Sequence, residues 1–251
     1  MKSLLIAAAS VTLLTALPAQ AADLAATAAS LRDKALADPT AWDVLENLTT
    51  EVGPRPVGSP AITRAKDWSV ETFKRLGFAN VKVETFETGA WSRGRESASV
   101  ISPYPQALHI LGLGGAYATA HKDEIANIVF VGESDEGAGV IWKVDLPKAS
   151  RAAPQMQTFA NVVAPLKVAV TGDPSRFGGS DVAGMVRLGA PVADLHQDAS
   201  RYFDLHHSAA DTLDKVSPLE LAQYVAVWTA LLYTVADSDI DFRKLVAPEA
   251  K

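Results

Sequence analysis

Ile128-Val129-Phe130-Val131-Gly132-Glu133-Ser134-Asp135-Glu136-Gly137-Ala138-Gly139 decides how this 251-residue chain is read. Four consecutive apolar residues fit a short buried strand. Carboxylates follow at once, in the place where open α/β sheets bind their ligands, just past the strand ends. The glycines let the backbone turn tightly enough to leave Asp135 facing the sheet edge. Without further context an acidic turn of this kind is more often simply solvated, so its meaning depends on its neighbours.

The neighbours alternate helix and strand. Toward the N-terminus, Leu24, Leu31 and Leu36 fall at helical spacing among alanines, and Trp42, Leu45 and Leu48 mark a second amphipathic turn. Val52 to Pro60 alternates proline and glycine and must be an ordered loop. Ser59-Pro60 then starts a helix through Leu76, with serine as its cap and Gly77 ending it. Asn80 to Phe86, Ser97 to Ile101 and Leu108 to Leu113 carry strand patterns, and Ala116 to Ala126 is alanine-rich and helix-like. Beyond the acidic turn, Val140 to Val144 reads as a strand, Ala149 to Leu166 as a helix, and Val168 to Thr171 as a strand. Asp181 to Leu188 reads as a helix and Val192 to Leu195 as a strand. Ser217-Pro218-Leu219-Glu220 is a capping box opening a long helix to about Val235. The alternation predicts one α/β domain with a mixed, largely parallel sheet flanked by helices.

Composition narrows the chemistry. With 23 Lys and Arg against 29 Asp and Glu, the net charge is -6, and no basic stripe offers a phosphate-binding face, which excludes nucleic acid. The absence of cysteine excludes disulfides, thiol nucleophiles and cysteine-ligated metals, so any metal must be held by His, Asp or Glu. Lys2, the apolar run from Leu4 to Leu17 and the small-x-small Ala19-Gln20-Ala21 make residues 1–21 a signal peptide, too short to span a bilayer and cleaved after Ala21. Residues 22–251 are then the mature, periplasmic or secreted domain, with no membrane attachment after cleavage.

Tyr202-Phe203-Asp204-Leu205-His206-His207-Ser208-Ala209-Ala210-Asp211-Thr212-Leu213-Asp214-Lys215 is the second chemical segment. Paired histidines among aromatic residues, followed by acids, can supply an imidazole ligand and a carboxylate to orient it. On its own the segment reads equally well as a satisfied histidine and a helix cap.

Taken together, the Gly53-Pro54-Arg55 and Gly58-Ser59 loop, Gly94 with the strand from Glu96 to Pro103, Glu133-Ser134-Asp135, Gly178-Gly179-Ser180-Asp181, and His206-His207 with Asp211-Thr212 resemble the zinc-dependent exopeptidases of the carboxypeptidase Q and bacterial leucyl aminopeptidase type. The resemblance implies a zinc-exopeptidase domain in which two zinc ions activate a bridging water that cuts one terminal residue from a small peptide. It makes Asp135 the ligand of one zinc and His207 the ligand of the other. His206 takes the place of a tyrosine that polarises the scissile carbonyl, and Ser180 and Asp181 fall near the substrate-side pocket. A homodimer is left open.

The same resemblance exposes gaps. Family members carry a histidine-x-aspartate strand, a bridging aspartate and an adjacent glutamate pair that supplies the general base. This chain has no Glu-Glu pair. Leu111-Gly112-Leu113-Gly114-Gly115 runs directly into the helix-like segment at Ala116, which implies an internal deletion near residue 115 of the protease-associated domain and several metal-site strands. His121-Lys122-Asp123 matches histidine-x-aspartate literally, but it sits in an alanine-rich helical stretch and not after an apolar strand, so it reads as a solvated helix surface. The sequence therefore describes an exopeptidase scaffold with an incomplete zinc centre, impaired or inactive. The alternatives are a noncatalytic peptide-binding protein on the same scaffold and a serine hydrolase, which lacks a Gly-x-Ser-x-Gly elbow here.

Overall fold

The computed structural model describes residues 19–85, 98–100, 106–108, 125–126, 128–172, 178–179 and 181–245. Strand β3 (Ile141–Asp145) is its axis. It pairs in parallel with β4 (Ala169–Thr171), Val144 opposite Val170. On its other side it pairs antiparallel with β5 (Asp194–Gln197), Val144 opposite Leu195, with a bulge between Ile141 and Lys143. The sheet is therefore mixed, as the alternation of elements predicts. A separate antiparallel pair joins β1 (Ala98–Val100) to β2 (Gln106–Leu108).

The helices are α1 (Ala19–Ala37), α2 (Thr40–Asn47), α3 (Pro60–Arg75), α4 (Pro154–Val163), α5 (Ala183–Arg187), α6 (Tyr202–Leu205), α7 (Pro218–Ala236) and α8 (Phe242–Leu245). One face of the sheet meets α1, α4 and α7. Ile141, Val144 and Leu195 from the strands join Met156, Phe159 and Val163 of α4 and Val227 and Leu231 of α7 in one buried cluster. Ala28 of α1 and Ala230 of α7 belong to it as well, small side chains that let packed helices approach closely.

The opposite face of β3 is polar. Asp145 is buried there, and its carboxylate accepts from Lys143 Nζ at 2.8 Å and from the Thr171 hydroxyl, and pairs with His196 Nε2 at 2.8 Å. The indole of Trp142 lies beside the His196 ring, centroids 5.9 Å apart.

Several elements depart from their sequence patterns for identifiable reasons. Among the described residues, Ile128 to Val131 makes one isolated parallel bridge, Val131 to Val192. Val131 N donates to Pro191 O at 2.8 Å and Ala193 N to Val131 O at 2.9 Å. The next rung would need an N–H from Pro191, which has none. Ala149 to Leu166 is not one helix: Pro154 and Pro165 divide it into a 3₁₀ turn (Lys148–Ala152), α4 and a second 3₁₀ turn (Ala164–Leu166). Residues 80–85 form no strand. Of the remaining sequence elements, residues 109–113 and 116–124 lie outside the described residues.

The two serine caps also differ. Ser217 accepts from Glu220 N at 3.4 Å and Pro218 occupies the first turn, as the capping box requires. Pro60 likewise opens α3, yet the Ser59 hydroxyl makes no capping bond and is buried without a partner among the described residues. Ser217→Ala is accordingly expected to cost about 1 kcal/mol in urea unfolding and Ser59→Ala distinctly less. Equal losses would contradict the difference in capping.

Candidate functional site

The acidic turn and the histidine segment meet. Ser134, Asp135, Glu136 and Gly137 to Gly139 form one wall of a cavity of about 290 Å³, and Tyr202, Leu205, His206, His207 and Asp211 form another, with Asp198, Arg201, Lys215 and Val216 completing the lining. Gln197 holds the first wall in place: its Oε1 accepts from Glu136 N at 3.3 Å and its Nε2 donates to Gly137 O at 2.6 Å. Gly137, at φ +93°, brings the turn against Tyr202, whose Cδ2 would lie 3.5 Å from a Cβ there.

The second wall is a stack of rings. Tyr202 and His206 centroids are 4.5 Å apart and those of His206 and His207 are 3.9 Å apart. Helix α6 spans only Tyr202–Leu205. The chain then turns through His207 at φ +57°, a left-handed conformation uncommon outside glycine, though histidine tolerates it better than most residues. This turn folds the two imidazoles against each other.

Charge in the cavity is uneven. Arg201 pairs with Glu220 at 2.7 Å and Lys215 with Asp214, so both bases are engaged by acids outside the lining. Asp198 accepts from Ser200 N at 3.0 Å, and this backbone bond, followed by the Ser200 hydroxyl, lowers its pKa. Asp135, Glu136 and Asp211 have no side-chain hydrogen bond or ion pair among the described residues. Burial first, then the charges of Asp135, Glu136 and Glu133, pushes the Tyr202 hydroxyl above the usual tyrosine range, which keeps it a protonated donor at neutral pH.

Asp135, His206 and His207 are thus together. Asp181 is not in the cavity lining. Its backbone N–H and that of Val182 donate to Glu133 Oε2 at 2.8 and 3.2 Å, so Asp181 enters the architecture through its main chain. Gly179, at φ +108°, leaves room for this carboxylate, since a Cβ there would lie 2.2 Å from Glu133 Oε2. Ser180, His121 and Asp123 lie outside the described residues. The lining roles of Arg201 and Asp198 carry no local sequence signal, whereas Lys215 closes the histidine segment. Glu136 and Tyr202 stood inside the quoted segments without a role in the zinc assignment.

A zinc ion in a catalytic site takes about three protein ligands. Among the described residues, no group of three or more His, Asp or Glu stands close enough to hold a metal ion. Asp135 and His207 do not by themselves fit a zinc pair.

The relatives that the chain resembles in sequence are carboxypeptidases. The chain is 32% identical over 129 residues to carboxypeptidase Q of Mus musculus, covering 51% of this chain and 27% of that protein. It is 31% identical over 123 residues to carboxypeptidase Q of Homo sapiens, covering 49% and 26%. The crystal structure of a Peptidase M28 precursor from Shewanella amazonensis is similar at a TM-score of 0.46 and 40% identity, over 53% of this chain and 29% of that one. No protein-family model matches. The chain is thus similar to carboxypeptidase Q over about half of its own length, and spans about a quarter of the length of these relatives.

Proposed function

We propose that the chain is an exported exopeptidase-type protein, periplasmic or secreted, whose cavity takes small peptides and whose zinc centre is too incomplete for efficient turnover. The observation that carries this reading is the meeting of Asp135 and His207 in one cavity, without a third ligand beside them among the described residues. The signal-like residues 1–21 support export.

In a complete centre, paired zinc ions would supply an activated water and stabilise the tetrahedral intermediate. Asp135 and His207 are the residues here that would each hold one ion. One protein ligand per ion does not hold a pair of ions. The chain's own contribution is to binding. The ring stack offers flat apolar faces to a peptide, and the protonated Tyr202 hydroxyl offers a donor to a carbonyl oxygen. A general base that would contribute about 10²- to 10⁴-fold has no glutamate pair to provide it.

The alternative, a noncatalytic peptide-binding protein on the same scaffold, is favoured by Asp135, Glu136 and Asp211, whose carboxylates make no hydrogen bond or ion pair among the described residues, and it differs in having no turnover at all. The test is hydrolysis of a panel of dipeptides and aminoacyl reporters at neutral pH with added zinc, comparing the mature chain with its His207→Ala and Asp135→Ala variants. Chelator-sensitive hydrolysis is expected to be absent or barely above background in all three, with zinc binding weakly and each substitution changing its affinity little. Brisk chelator-sensitive hydrolysis by the parent, lost in His207→Ala, would instead require a complete metal centre and overturn the proposal.

A further inference from the structure

The export leader and the first helix of the fold share residues. Ala19-Gln20-Ala21, the small-x-small point of cleavage, forms the start of α1, which runs unbroken from Ala19 to Ala37. The bond to be cut, Ala21–Ala22, therefore lies inside the first turn of a helix. That helix is part of the core. Leu24 is 7% exposed and Ala28 is fully buried. Ala28 joins Phe159 and Val163 of α4 and Val227 and Leu231 of α7 in the main apolar cluster, and the Arg32 guanidinium donates to Val162 O of α4.

Two barriers to cleavage follow. A peptidase takes the residues around the bond it cuts as an extended strand, whose main-chain groups it pairs itself, whereas in a helix the carbonyls of those residues face N–H groups four positions on. The first turn of a helix opens at little cost, because its own N–H groups have no partner within the helix, so this barrier is the weaker one. The stronger barrier is length. Leu24 is the third residue past Ala21, and three residues reach about 10 Å at full extension. The apolar run from Leu4 to Leu17 holds the leader at the membrane during export, so a chain already anchored at Leu24 brings its whole folded domain against the enzyme. There is no linker between leader and core. Freeing the bond means withdrawing Leu24, and with it Ala28, from their packing.

We propose that α1 makes leader removal and folding mutually exclusive: the Ala21–Ala22 bond is cut while α1 is undocked, and docking of Leu24 and Ala28 closes it to the leader-removing peptidase. The step is a hydrolysis, in which one water is consumed and the bond leaves a carboxylate on Ala21 and an amine on Ala22. The proposal rests on the export reading above and adds to it the order of events, export and cleavage first, closure of the core second.

The test uses the full precursor, residues 1–251, unfolded in urea in mild detergent and divided. One portion is diluted directly into a bacterial leader peptidase. The other is refolded first, until its near-ultraviolet circular dichroism matches that of the mature chain, and then given the enzyme. Loss of residues 1–21 is followed by intact mass, with a separate exported precursor confirming that the enzyme is active. The refolded portion is expected to be cut at least about tenfold more slowly, since its bond is reached only through opening of α1. A six-residue Gly-Ser insertion between Ala22 and Asp23 leaves the cleavage point intact and moves it about 20 Å further from Leu24, and it is expected to restore the rate to within about twofold of the freshly diluted chain. Equal rates for the two portions of the unmodified precursor would overturn the proposal while leaving the leader reading intact. Resistance that persists in the insertion variant would overturn it too, because the anchored Leu24 would not be the cause. A precursor unable to regain the mature fold would overturn it as well, since α1 must dock beside an uncut leader for the bond to be closed. Absence of cleavage in every sample, freshly diluted chain included, would overturn the leader reading itself.

Discussion

Gly139→Ala is expected to destabilise the protein by about 2–4 kcal/mol, the range of a forced backbone clash in a packed region. A Cβ at residue 139 would lie 2.3 Å from Asp198 O and 3.0 Å from Asp198 Cβ. Neither side has slack. Asp198 N donates to Val140 O at 2.9 Å, and Gln197 Nε2 is bonded to Gly137 O at 2.6 Å, so the turn and the end of β5 are tied together on both sides of the glycine. The methyl group must push the cavity wall away from β5, breaking these bonds and displacing Asp135 and Glu136. For a chain of this size the loss corresponds to a fall in unfolding midpoint of roughly 5–15 °C. Gly77→Ala is the control: it too adopts a positive φ, +89°, but a Cβ there meets nothing within 4 Å, so it reports only the backbone cost of about 1 kcal/mol. If Gly139→Ala unfolds no earlier than Gly77→Ala, the close approach of the two segments is wrong.

Asp145→Ala is expected to cost about 2–4 kcal/mol, because a buried carboxylate is the common acceptor of three groups and its removal strands all of them. The Asp145 side chain is 3% exposed, whereas those of Lys143 and His196 are 26% and 22% exposed. The partners can therefore recover some hydration, which keeps the estimate below that for a fully buried ion pair. Asp194 lies 4.0 Å from His196 Nε2 and retains part of the imidazole's environment. Asp145→Asn keeps an acceptor for the Thr171 hydroxyl but removes the charge facing Lys143, so its loss falls between wild type and Asp145→Ala. Urea unfolding of the three proteins measures this order. A change below about 0.5 kcal/mol in Asp145→Ala, the scale of an ordinary surface substitution, would show that the cluster contributes nothing to stability.

Asp145 was invisible as a buried charge in the sequence, where it falls one residue past the strand pattern of Val140 to Val144. Its strand was legible. Ile141 and Val144 mark β3, and the predicted boundaries of Val140 to Val144 miss the observed ones by one residue at each end. Strand β4 starts one residue after its pattern, β5 lies two residues beyond its pattern at both ends, and Ser217-Pro218 places the start of α7 correctly. Patterns failed where a residue's neighbours in space decide the outcome. Val131 has the pattern of a strand, but Pro191 across from it cannot extend the ladder. Ser59 has the right identity for a cap, but its hydroxyl is turned into a buried position without the bond.

The same division applies to the cavity. The resemblance of their segments to a family led to the expectation that Asp135 and His207 share one site, and the lack of cysteine and of a Glu-Glu pair limits any metal centre from residue type and order alone. These are properties of residue type and local order, which a chain carries before it folds. That the two segments enclose one space, that Arg201 is drawn off by Glu220, and that Glu133 accepts from the backbone of Asp181 were decided by tertiary structure. Charge compensation depends on distances between groups far apart in the chain, and those distances exist only once β3, β5 and the turns beyond them have packed.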